Sequence, residues 1–411
     1  MSAIYPEVEP FDVGLDEARL AFVGRHFDRY VQERKLPGYL AVVSRAGKIA
    51  HVALGGLRDI ENALPLEADT RFRIYSMTKP VTSVALMTCY EQGLLSLDDP
   101  VHKFIPEFAE TRVFAGGSSF RPVTVPMAQP ITIWHLMTHT AGLSYGWMHN
   151  HPVDAMYRSA GFEWETSVGA DLESCCRRLA RLPLRSQPGS EWNYSVATDV
   201  LGRVVEVATG QSLDEVFTER VLGPLKMAET SFFVEDEEAV RSLAVLYSPD
   251  LVSGRATRAT HMGEAALHRP SAFLGGSGLV STAGDYHRFT QMLARGGELD
   301  GVRVLGARTV AYMTRNHLPK GAQLSEFGNP IGEQSEEGVG FGLGFSVVVD
   351  PPALKVTSSP GEYGWGGAAS TLFWIDPVED LTVLFFTQLL PSSTYPIRRQ
   401  LKQLVYSAIV D

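Results

Sequence analysis

The sequence predicts an α+β fold, a mixed sheet built from both chain ends around a mainly helical middle. Two observations carry this. Apolar runs of strand length cluster near the two ends, and from about Ser76 to Leu225 the apolar spacing turns helical, broken by Gly/Pro-rich loops such as "FAGGSSFRPVTVP" and "LRSQPGSEW". The economical division is a discontinuous sheet unit over 1–75 and 226–411 and a helical unit over 76–225. An active site is expected in the cleft between them.

Taken in order, "DEARLAFVGRHFDRYVQER" spaces Leu20, Phe22, Val23, Phe27 and Val31 as a helix that stops before "LPG". "GYLAVVSR" and "KIAHVALGG" flank Ala46-Gly47 as a hairpin. "VTSVALMTCYEQG", after Pro80, reads as a buried helix with Val81, Val84, Ala85, Thr88 and Leu94 near one face and Gly93 as its stop. A second helix runs through Val196, Val200, Leu201, Val204 and Ala208 and ends at Gly210. Near the other end, "FGLGFSVVV", "AASTLFWI" and "LTVLFFTQ" are strand-like, the last two separated by the turn-rich "DPVED". A final amphipathic helix carries Ile397, Leu401, Leu404, Val405 and Ile409.

Bulk composition narrows the partners. With 411 residues, 45% hydrophobic and 20% charged, the chain has ordinary globular values. A net charge of -11 and no cluster of Lys and Arg argue against nucleic acid and leave a small molecule as the expected partner. The opening "MSAIYPEVEPFDVG" has no apolar signal core and no run approaches bilayer length, so a cytoplasmic location with no membrane partner is expected. Cys89, Cys175 and Cys176 suggest buried thiols and no disulfide framework.

Three stretches could carry chemistry. "YSMTKP", Tyr75 to Pro80, sets Ser76 and Lys79 three positions apart at the start of a helix, where both side chains face the same way. A serine hydroxyl needs a neighbour to accept its proton as it attacks a carbonyl carbon, and a lysine held neutral can do so. Taken alone the tetrad reads more readily as an N-capping serine, and Pro80 biases Lys79 away from helical geometry. Tyr194, at a loop edge before its helix, is a second possible base or else a core tyrosine. "EYGWGGAAST" brings glycines and a strand-edge N–H together, either as a tight turn or as a donor for a developing oxyanion.

In this order the three stretches resemble the serine β-lactamase and penicillin-binding protein family, whose S-x-x-K signature is carried by Ser76 and Lys79. The resemblance is closest to the class C β-lactamase-like family VIII carboxylesterases, covers roughly residues 17 to 409 and includes "WHLMTHTAGLSYG". It implies a serine β-lactamase-like fold, an antiparallel sheet flanked by helices and joined to a helical region. It further implies Ser76 as the acylated nucleophile, Lys79 as its helper and Tyr194 as general base and proton donor. The backbone N–H groups of Ser76 and Ala368 would form the oxyanion hole, and Trp365, Gly366 and Gly367 would line the substrate. No cofactor or metal is implied.

Two departures matter. Trp365 stands where lactamases and peptidases carry the lysine of K-T-G, and Val196 stands where Y-x-N has asparagine. Both losses point toward plainer esters, so the expected function is hydrolysis of short-chain carboxylic esters through an acyl-serine. A β-lactamase or D-amino-acid peptidase, an acyltransferase and a non-catalytic binding protein are the competing functions. Whether Lys79 or Tyr194 takes the proton first stays open, as do the physiological ester and the oligomeric state.

Other patterns are weaker. His135 and His139 lie four apart, a spacing compatible with metal ligands on one helix face, but no H-E-x-x-H accompanies them. They, His149 and His151 are read as structural or loop residues, and Asp199 as structural. No serine lies in G-x-S-x-G, since "GGSGL" lacks the final glycine, and no phosphate-binding glycine motif stands in a strand-to-helix context.

Overall fold

The computed structural model describes residues 3–163, 169–328 and 337–410. Asp16 caps α1 (Glu17–Gln32) by accepting from the Arg19 N–H at 3.0 Å, and the helix buries Leu20, Val23 and Phe27. Phe22, expected on that stripe, turns outward and is 45% exposed. β1 (Gly38–Arg45) and β2 (Lys48–Asp59) form the expected hairpin. Its turn has φ of 51° at Ala46 and 71° at Gly47, the paired positive values that match strand twist. β3 (Leu64–Pro65) and β4 (Arg71–Arg73) follow, then the helices α2 (Thr78–Glu91), α3 (Ile133–Met137) and α4 (Ala197–Thr209). β5 (Val280–Thr282) pairs with β4 and leads into α5 (Ala283–Ala294). The chain closes with β6 (Val339–Phe341), β7 (Ser346–Val348), β8 (Tyr363–Gly366), β9 (Leu372–Asp376), β10 (Leu381–Phe386) and α6 (Ile397–Tyr406).

The main sheet has eight strands in the order β6-β7-β8-β9-β10-β1-β2-β3, every pairing antiparallel. The sheet is thus antiparallel, as the family resemblance implies, and not mixed as the apolar runs alone suggested: neighbouring strands are mostly joined by short connections, which can link only antiparallel partners. One long excursion brings β10 beside β1, with Leu40 opposite Phe386. Side chains alternate cleanly between the two faces. Tyr39, Ala41 and Val43 pack with Phe27 of α1 and Leu401 of α6, whereas Leu40 and Val42 join the cluster that holds α2 and α4. Burial on both faces explains the continuous apolar run of β1.

Other elements differ from expectation. The "FAGGSSFRPVTVP" loop is largely a hairpin of Arg112–Gly117 with Pro122–Pro126, its prolines falling at strand ends. "FGLGFSVVV" is broken into β6 and β7 around Gly344, whose φ is 96° and whose missing Cβ leaves room for Ser83. In "AASTLFWI" the first four residues form a turn and only Leu372 onward is strand. α2 is buried on all sides from Thr78 to Cys89, and Leu94, beyond its end, is 40% exposed. Ile409 lies past α6, bridging to Leu15. The largest buried apolar cluster runs unbroken from sheet residues such as Val42 and Leu384 into helix residues such as Val84 and Leu201. The three cysteines are buried free thiols.

Candidate active site

Ser76 sits in a tight turn, Tyr75–Met77, immediately before α2. Its hydroxyl caps no helix. Instead Lys79 Nζ donates to Ser76 Oγ at 3.1 Å and the Tyr194 hydroxyl donates to it at 2.6 Å. Pro80 is the third residue of α2, where its missing N–H forfeits no intrahelical bond, and Lys79 is helical despite the proline after it. Tyr75 is held at φ 43°, a left-handed value that side-chain-bearing residues adopt at a cost of about 1–3 kcal/mol.

The surroundings hold that turn in place. The Ile74 N–H donates to Leu279 O at 3.0 Å, the Leu279 N–H to Thr78 Oγ1 at 3.1 Å and the Tyr286 hydroxyl to Met77 O at 2.9 Å. Lys79 is 2% exposed and also donates to Gly276 O at 2.6 Å, while the Gly276 N–H donates to Asp199 Oδ1 at 2.7 Å. Burial raises the Asp199 carboxyl above its ordinary range, and Lys79 works against that rise. Asp199 thus holds Gly276, whose carbonyl anchors Lys79.

Aromatic rings enclose the three polar groups. The Lys79 ammonium lies 4.7 Å from the Tyr194 ring centroid and 5.6 Å from that of Tyr145. Trp365 meets Tyr194 at 5.6 Å and Phe341 at 5.3 Å between centroids, and is 1% exposed. Burial, then the charges of Tyr194 and Asp199, push the Tyr145 phenol well above its usual range. His139 stands 5.0 Å from Tyr194 ring to ring, and burial followed by Lys79 holds its imidazole well below the usual range.

Gly367 brings the second backbone segment close. A Cβ there would collide with the Ile74 carbonyl and Thr371 Oγ1, so glycine lets the turn after β8 press against the residue two before Ser76. A Cβ on Gly366 would strike the Arg398 guanidinium. Ala368 follows, half-buried, in one apolar cluster with Tyr75. The structure therefore brings Ser76, Lys79, Tyr194 and Trp365 together, with Gly366, Gly367 and Ala368 alongside.

The paired histidines do not share a helix face. α3 ends at Met137 and His139 turns away at φ 55°. His135 Nδ1 accepts from the Thr132 N–H at 3.0 Å as part of a helix cap, and His139 Nδ1 lies 3.3 Å from Ser195 Oγ. Sequence reasoning missed Gly276 and Tyr145. Gly276 lay within "GGSGL", weighed only as a hydrolase motif, and Tyr145 within "WHLMTHTAGLSYG".

Comparison with known proteins gives three kinds of match. A family model described as Beta-lactamase matches residues 23–407. Protein Rv1367c of Mycobacterium tuberculosis is 37% identical over 87% of this chain and 86% of its own length, and Esterase EstB of Burkholderia gladioli is 32% identical over 92% and 93%. Among solved structures, EstCE1, described as a hydrolase with promiscuous acyltransferase activity, superposes with a TM-score of 0.79 at 28% identity, covering 95% of this chain and 98% of that one. A match running nearly end to end, on an antiparallel sheet with a helical middle, means that the chain belongs to the beta-lactamase family.

Proposed function

We propose that the chain is a serine carboxylesterase acting on short-chain esters through an acyl-serine. The observation that carries this reading is the convergence of Tyr194 and Lys79 on Ser76 Oγ, at 2.6 and 3.1 Å. Tyr194, the nearer group, accepts the Ser76 proton in its phenolate form as Oγ attacks the ester carbonyl, and becomes the phenol. Lys79 spreads its donors over Ser76 and Gly276 O and lies over two tyrosine rings, so its N–H groups are placed to stabilise the Tyr194 phenolate before it takes the proton and after it gives it up. The N–H groups of Ser76 and Ala368 receive the oxyanion, Tyr194 returns the proton to the departing alcohol, and water then releases the acid.

Esterase EstB supports ester hydrolysis, and EstCE1 supports acyl transfer to an alcohol as a second outcome of the same acyl-enzyme. The buried Trp365 ring, in place of a lysine, argues against a β-lactam as the preferred substrate. The test is intact-mass measurement and turnover with 4-nitrophenyl butyrate and, separately, a β-lactam, using Ser76→Ala as control. Rapid ester turnover with a Ser76-dependent adduct of the acyl mass is expected. Absence of both adduct and turnover would overturn the nucleophile assignment, and faster lactam than ester turnover would favour the lactamase reading.

A further inference from the structure

Arg73 is a buried cation. It is 8% exposed, and among the described residues no carboxylate forms an ion pair with it. Its guanidinium donates to Ala244 O at 2.8 Å and to Gly263 O, while Nε is buried with no partner. A guanidinium has five N–H donors, so two carbonyls leave most of them unused. Removing such a group from water is costly unless something completes its shell.

The position of this arginine is what gives the deficit a function. It lines a cavity of about 70 Å³ whose apolar walls include Phe232, Met262, Ala272 and Leu274. The same cavity is bordered by Tyr75, the residue before Ser76, and by Ser277, the residue after the Gly276 that accepts from Lys79. It therefore shoulders both segments that carry the reacting groups. On its other side Arg73 borders a cavity of about 550 Å³ where Arg58, Arg241 and Arg258 face Asp59 and Glu264. Arg58 is paired there with Glu67, Arg241 with Glu237 and Arg258 with Asp59 and Glu61, so among the described residues Arg73 is the lining cation with no carboxylate partner.

We infer that the preferred esters carry a carboxylate on one branch, seated with its apolar linker in the Phe232–Met262 cavity and bound by Arg73. This rests on the acyl-serine reading above and adds a substrate class to it: half-esters of dicarboxylic acids, or esters of hydroxy acids. A neutral short ester fills the apolar walls and leaves the guanidinium unmatched.

Two matched pairs separate the possibilities. On the acyl side, mono-4-nitrophenyl glutarate is compared with 4-nitrophenyl hexanoate. On the alcohol side, 3-acetoxybenzoate is compared with 3-acetoxybenzamide. In at least one pair the wild-type enzyme should favour the anionic member in kcat/KM by about tenfold or more, the scale of a lost charged hydrogen bond. Arg73→Gln should raise KM for that member at least about fivefold more than for its neutral partner, and Arg73→Lys should restore part of the difference.

A measurement on wild-type protein does not depend on the variants folding: glutarate should inhibit hydrolysis of the neutral ester competitively, more strongly than glutaramide does. Equal rates within both pairs together with equal inhibition, or an Arg73→Gln loss shared equally by both members, would make Arg73 only a clamp for Ala244 and Gly263. Those outcomes would leave the esterase assignment standing. Absence of Ser76-dependent turnover of the neutral esters would instead overturn that assignment and this inference with it.

Discussion

Ser76 shows how much one residue owes to its neighbours. Its hydroxyl is ordinary, and what distinguishes it is a left-handed Tyr75 before it and two proton-bearing groups within 3.1 Å. Tyr194→Phe removes the nearest acceptor and keeps the ring against Trp365 and His139. Its kcat on a neutral ester should fall on the order of 10²–10⁴-fold with the melting temperature little changed. Acylation of that variant at the wild-type rate would transfer the base role to Lys79. At this scale the sequence was informative, because S-x-x-K, the tyrosine and "WGGA" are chemically unusual residues in a recognisable order. Gly276 was not legible, since a glycine that serves through its carbonyl leaves no side-chain signal.

Elements decide whether those residues meet. The close approach of the turn after β8 to Ile74 exists because position 367 has no side chain. Gly367→Ala should push that turn, and the Ala368 N–H with it, off the ester carbonyl. The expected result is a kcat loss of about 10²–10³-fold, the range for one displaced oxyanion donor, with circular dichroism unchanged. A KM rise with unchanged kcat would instead mean that the turn only shapes the pocket. α2 and α4 were legible because each ends at a glycine, Gly93 and Gly210, both at φ 71°. The split between β6 and β7 was not, since it depends on Ser83 of α2 occupying the space beside Gly344. Nor was the Arg112–Gly117 hairpin, where glycine and proline hid a two-residue alternation.

For the whole molecule, burial sets the response to acid. His51, His135, His139, His151, His287 and His317 all lie below the ordinary histidine value, burial being the first cause in each, and His287 is lowered to about 4. Because the unfolded chain binds these protons more readily, their contribution is complete above about pH 6.5 and drains away as the pH falls toward 4. His287 alone adds up to about 1.4 kcal/mol per pH unit to that slope. Asp199 and Glu206, raised by burial, have the opposite sign, their contribution fading as pH rises. Net loss of melting temperature from pH 7 to pH 5 is expected, shallower in His287→Phe, and a flat profile in wild-type protein would contradict it. The sheet was legible as two end clusters, because strand-length apolar runs do not depend on partners. Its antiparallel pairing was legible only through the family motifs, because apolar runs by themselves do not show the direction in which strands pair. That pairing also fixes a timetable: β1 emerges early from the ribosome, yet its neighbour β10 ends at Phe386. Until then β1 has one bare edge, rich in valine and leucine, that another nascent chain could occupy. A chain stopped at Asp380 should accordingly be recovered as aggregate, and its recovery as monomer would show that the edge is shielded by other means.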